Sequence, residues 1–199
     1  MAIDSGLVLK RVAYTGALAG TLWTGWLVNE GMRPDPHIPV PGDKVTICAG
    51  ETRTPDGKLI TMSHPWMSPG ECKEWFDIRT TKEFDRFQNK YPNLPILGCD
   101  EESMNKSVAV IFDFIGNMGE SNYAPNSSMY KNAMNRNWKG YCDSFWLYRF
   151  YQKKDCNIAK LPNGKFLCKG VATRAQWRVD TCHSVLNYCS SSGSQSFAP

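Results

Sequence analysis

Three residues in one short stretch carry groups suited to breaking a polar bond: Glu30, Asp43 and Thr46. The stretch reads Glu30-Gly-Met-Arg, then a proline-rich loop His37-Ile-Pro-Val-Pro-Gly-Asp43, then Lys-Val-Thr46-Ile-Cys-Ala-Gly-Glu-Thr52. Glu30 follows the apolar run Trp26-Leu27-Val28. A carboxyl group held beside hydrocarbon favours its neutral form and can act as a general acid. Asp43, after Pro41-Gly42, belongs to a solvated turn where a carboxylate stays ionised. Two carboxyls in unlike surroundings are what hydrolysis of a glycosidic bond asks for: one protonates the leaving oxygen, the other activates water or balances positive charge. Glu and Asp are also common as solvated charges around a loop, and on these residues alone both readings stand.

Such a set needs a helix before it and a sheet after it. Val12 to Val28 is free of charged residues and can supply the helix, with Glu30 at its end. Lys44 to Cys48 alternates as a strand, Thr54-Pro-Asp-Gly57 is a turn signal and Lys58 to Met62 reads as a second strand, giving a small β-hairpin with Thr46 on it. Thr46 is equally what a strand would carry for its β-branched shape. Ser68-Pro-Gly-Glu71 is a helix start, with serine as cap, proline first and glutamate closing the box. That helix reaches about Lys90, and Tyr91-Pro-Asn-Leu-Pro95 ends it. Asp100 or Ser103 caps the next helix, whose Val108, Ile111, Phe112 and Ile115 make it a core element, with Asp113 at its boundary. Further helices are expected from Ser128 to about Asn135, from Trp138 to Phe150 and from Thr173 to Leu186, the last presenting Arg174 and Arg178 on one face. The aromatics Trp146, Tyr148, Phe150 and Tyr151 read as core residues before they read as sugar-stacking ones.

Three blocks of this chain resemble the phage-type lysozymes, glycoside hydrolase family 24. They are Glu30-Gly through Thr46-Ile-Cys-x-Gly-x-Thr52, Val108 to Gly119 with its Asn117-Met-Gly ending, and Gly170 to Arg178. The resemblance implies an α+β, mainly α, lysozyme-like fold in which a small β-hairpin lobe and a larger helical lobe are joined by a long helix. It implies a muramidase acting on peptidoglycan glycan strands without a cofactor, with Glu30, Asp43 and Thr46 as the catalytic set. One departure concerns the second carboxylate. The family's aspartate falls here on Pro39 or Val40; Asp43 is the nearest carboxylate on the hairpin side, with Asp35 and His37 as lesser substitutes. Where the family reads Gly-His-Thr this chain has Gly50-Glu51-Thr52, which leaves open what Glu51 contacts.

The 199 residues, 42% of them hydrophobic, are enough for one domain, with room for two lobes. A net charge of +4 favours anionic partners only mildly, and no basic run or motif points to nucleic acid. Eight cysteines without Cys-x-x-Cys spacing, and only three histidines, point to disulfides and an oxidising compartment rather than to a metal site. A Pro-Asn-Gly turn would bring Cys156 and Cys168 together, and the family resemblance suggests Cys48 with Cys72. For the amino-terminal run, Ala17-Leu-Ala19 offers a cleavage site behind too short an apolar region. A packed first helix is the second reading. The third is a signal-arrest-release segment, as in exported endolysins resembling this chain, that tethers a monomer to the host inner membrane before release to the periplasm. The division expected is residues 1–28, a hairpin lobe 29–70, a linking helix and helical lobe 71–189, and a disordered Ser-rich tail 190–199.

Overall fold

The computed structural model describes residues 7–39, 42 and 44–192, the side chains of Asn29 and Glu30 excepted. The chain forms two compact units, one of Tyr14–Lys90 and one of the described residues up to Ala13 and from Tyr91 on. Each is mainly helical, and the smaller carries an antiparallel hairpin.

In the smaller unit α1 spans Gly16–Glu30. Thr15 caps it by accepting the Leu18 N–H at 3.2 Å, and Gly31, with φ of +71°, ends it. Leu18, Leu22 and Trp26 recur every four residues and are buried, so one face of α1 is core. It packs on α2, Pro69–Lys90, where Phe76 meets Trp23 and Trp26 at ring-centroid distances of 5.1 and 5.8 Å. The start of α2 is the expected box: Ser68 Oγ accepts the Glu71 N–H, and Glu71 accepts the Ser68 N–H at 2.7 Å. The run from Val12 therefore ends in a packed helix. Among the described residues no helix is long and apolar enough to cross a membrane.

The hairpin differs from the sequence expectation. β1 is Arg33–His37 and β2 is Thr46–Cys48, paired antiparallel with Arg33 opposite Cys48 and His37 opposite Thr46. The first strand thus lies in what reads as proline loop, and Lys58 to Met62 contributes only a bridge, Leu59 to Arg53. Pro34 and Pro36 already prefer extended backbone, and the irregular register lets them stand between the paired residues at no cost in ladder bonds. Ile47, Ile60 and Met67 form the hairpin's own small core, closed by the Cys48–Cys72 disulfide.

The larger unit is built on α3, Glu101–Met118. Both candidate cap residues serve: Asp100 accepts the Ser103 N–H at 2.7 Å, and Ser103 Oγ accepts the Asp100 N–H at 3.0 Å. Val108 to Ile115 are buried on every side of the helix. α6, Lys169–Ser191, packs along α3, and α4, Ser128–Met134, with α5, Trp138–Ser144, fills the remaining side. The aromatic helix expected from Trp138 to Phe150 stops at Ser144, whose hydroxyl donates back to the Gly140 carbonyl at 2.6 Å. The chain continues as a tight turn, then as β3, Phe150–Tyr151, and β4, Lys154–Asp155. Disulfides Cys99–Cys189, Cys142–Cys182 and Cys156–Cys168 stitch this unit, and before Ala13 the Leu9 N–H donates to the Leu94 carbonyl at 2.8 Å. Of the Ser-rich tail, residues 193–199 lie outside the described residues, and α6 runs into its first two.

Candidate active site

Two of the three sequence-predicted residues can be located on elements of the smaller unit. Glu30 is the last residue of α1, directly before the turn at Gly31 that leads into β1. Asp43 lies outside the described residues. Thr46 opens β2 and is buried, with 8% of its surface exposed. Its hydroxyl stands 3.4 Å from both His37 Nε2 and the His37 carbonyl, long for direct hydrogen bonds. His37 Nδ1 is 3.0 Å from the Asp35 carbonyl, which fixes the ring beside Thr46. Asp35 itself is engaged elsewhere, its carboxylate accepting three bonds from Arg33 Nε and Nη2 at 2.9 to 3.1 Å on the surface. That hydrogen bonding holds its carboxyl below the usual range. Both lesser substitutes lie on β1, but it is His37 that stands beside the Thr46 hydroxyl, while the Asp35 carboxylate is taken up by Arg33.

Glu51 finds a partner that spacing could not announce. Ile47 and Glu51 exchange backbone hydrogen bonds at 2.9 and 3.0 Å across a tight loop in which Cys48 and Gly50 hold φ of +58° and +89°. This turns the Glu51 side chain inward, where Arg79 Nη2 of α2 lies 3.2 Å from its Oε1. Burial pushes the Glu51 carboxyl above its ordinary range, with Arg79 opposing. The Arg79 guanidinium lies over the Trp26 ring at 4.9 Å, and the Trp26 indole N–H donates to the Ala49 carbonyl at 2.7 Å. One cluster thus ties α1, α2 and the turn after β2 together. Beside it opens a cavity of about 390 Å³, walled by Glu51, Arg53, Trp75, Arg79, Lys82 and Glu83 among others. Thr46 is not among the described residues that line it.

No family model matches the chain, and no curated protein matches it either. Solved structures do. The endolysin of Escherichia coli O157:H7 phage FAHEc1 superposes with a TM-score of 0.58 at 13% identity, over 86% of this chain and 94% of that one. A variant of phage P22 lysozyme gives 0.54 at 14% identity, over 87% and 99%. The active form of the phage P1 endolysin Lyz gives 0.51 at 17% identity, over 88% of each. The fold is that of the phage lysozymes. Identities this low speak for the fold alone. Among the described residues no three His, Cys, Asp or Glu side chains gather as they would around a metal ion.

In the larger unit Arg174 and Arg178 serve structure. Arg178, fully buried, donates to Asp113, whose carboxyl burial raises and Arg178 pulls back down. Arg174 donates to Asn117 at 2.5 Å, and Asn117 donates to the Asp113 carbonyl at 2.7 Å. Asp113, read from sequence as a boundary residue, is inside the core. An apolar pattern cannot reveal that a buried position holds an ion pair whose other half lies 65 residues on.

Proposed function

We propose that the chain is an exported endolysin of the glycoside hydrolase family 24 kind, a muramidase that hydrolyses the β-1,4 bond between N-acetylmuramic acid and N-acetylglucosamine in peptidoglycan. The observation that carries this reading is the placement of Glu30 at the end of α1 and of buried Thr46 on the hairpin that follows, in a chain with the fold of phage lysozymes. Glu30 is the general acid to the leaving oxygen. Asp43 activates the attacking water and balances the charge that develops at the anomeric carbon, and Thr46 holds that water from the sheet. His37 is a second group able to hold the water, because its ring stands beside the Thr46 hydroxyl. The uncharged run from Val12 to Val28 serves as a signal-arrest-release tether to the inner membrane, and the four disulfides suit the periplasm that follows.

Reducing-end release and fragment masses from purified peptidoglycan test this. Hydrolysed, non-anhydro fragments are expected from the wild type, with Glu30→Gln lowering the rate by roughly 10³-fold, within the range for loss of a general acid. Asp43→Asn and His37→Gln, compared side by side, tell which group works with Thr46. Anhydro fragments would make the chain a lytic transglycosylase. Wall binding without any fragments would leave it a binding protein on a lysozyme-like fold.

A further inference from the structure

The disulfide-closed excursion between α5 and α6 concentrates positive charge and exposed apolar side chains. Arg149, Lys153, Lys154, Lys160, Lys165 and Lys169 stand against a single acid, Asp155, so this segment carries +5 in a chain of net charge +4 and the remainder is close to neutral. Arg149 pairs with Asp155 at 2.9 Å, whereas Lys153, Lys154, Lys160 and Lys165 have no ion pair among the described residues. Between these cations, Leu147, Phe150, Tyr151, Ile158, Leu161 and Phe166 are 39% to 71% exposed, Ile158 most of all. The Lys160 and Lys169 ammonium groups lie 5.4 and 5.0 Å from the Phe166 ring centroid, so charge and apolar surface belong to one patch.

The backbone holds this patch in shape. Gln152 and Lys153, both at positive φ, form the two-residue turn that joins β3 to β4. Lys160 pairs opposite Phe166 around the turn that ends at Gly164, and Cys156–Cys168 closes the base. Glycine or asparagine would adopt the first turn more readily; Gln-Lys there places a long cation at the tip. Phe150, Tyr151 and Phe166 suit a sugar ring and a bilayer interface alike, but aliphatic Leu147, Ile158 and Leu161 give a saccharide neither hydrogen bonds nor a flat ring to stack on. Acyl chains beneath a layer of phosphate headgroups match both halves of the patch.

We propose that the excursion from Arg149 to Lys169, with Leu147, is a docking surface for anionic lipid membranes, separate from any tether in the amino-terminal run. Sedimentation of the full-length oxidised protein with vesicles tests it. Mixed phosphatidylglycerol–phosphatidylcholine vesicles should bind the wild type, pure phosphatidylcholine much less, and the difference should shrink with salt. Lys153→Gln with Lys154→Gln should weaken binding about 25-fold, each lysine near an anionic surface being worth about fivefold. Ile158→Ser with Leu161→Ser should weaken it too, with an unchanged melting curve and unchanged release of fragments from soluble wall material. Variants that bind vesicles as the wild type does would overturn the proposal, as would equal binding to neutral vesicles. Loss of binding to purified sacculi in place of vesicles would assign the surface to a wall polymer and overturn it as well. None of these outcomes depends on whether the chain cleaves peptidoglycan.

Discussion

Each unit buries an arginine–carboxylate pair, and the two pairs sit in different surroundings. Arg178 and Asp113 of the larger unit are 0% and 3% exposed, with Asn117 and the Phe114 ring completing their shell. Glu51 and Arg79 of the smaller unit are 6% and 28% exposed and form part of a cavity wall. In both, burial raises the carboxyl and the arginine resists. The larger unit adds three disulfides to its pair, the smaller one. A fully enclosed pair cannot be broken without leaving a bare charge in the core. In the half-open pair the arginine keeps part of its hydration, so less is lost when the pair is broken, and the unit bearing the candidate site rests on the more forgiving of the two anchors.

Substitutions at the two anchors should separate them. Arg178→Met is expected to have the largest effect, about 4 kcal/mol of stability in urea titration, with most of it recovered when Asp113→Leu is added. Removing the Cys48–Cys72 bridge by Cys48→Ser with Cys72→Ser opens a loop of sequence separation 24. Chain entropy puts that at about 3 kcal/mol, and limited proteolysis should cut first in the hairpin. Arg79→Met should cost about 2 kcal/mol at neutral pH, less than a sealed pair because its guanidinium is partly solvated. Without Arg79 the Glu51 carboxyl, already raised by burial, rises further. At pH below the carboxylate range folded and unfolded chains both hold the neutral acid, so melting curves of variant and wild type should converge there and diverge as pH rises. Smallest is Thr15→Ala, about 1 kcal/mol for the lost cap of α1.

Local chemistry made much of this molecule readable in advance. The Ser68–Glu71 box, the proline stop after Lys90 and the Asp100–Ser103 cap are each decided within a few residues, and each is where the sequence puts it. The pairing of Cys156 with Cys168 follows from a turn between them. What was not readable depends on contacts far along the chain. β1 hides in a Pro-x-Pro segment that by composition is a loop, and only β2 makes it a strand. Arg79 looks like any solvated helix residue until the turn after β2 brings Glu51 to it. Of the candidate site, what the sequence placed and the fold keeps is the position of Glu30 at a helix end and of Thr46 on a strand. The closeness of His37 to Thr46 required knowing which strand pairs with which.

The two prolines of β1 have a consequence between molecules. Pro34 and Pro36 offer no N–H, and the Pro34 carbonyl already accepts from the Met67 N–H at 3.1 Å. A strand arriving from a second chain would find few donors or acceptors with which to extend the sheet. The hairpin that presents Thr46 is therefore a poor template for strand addition, which protects a concentrated preparation from aggregating through this edge.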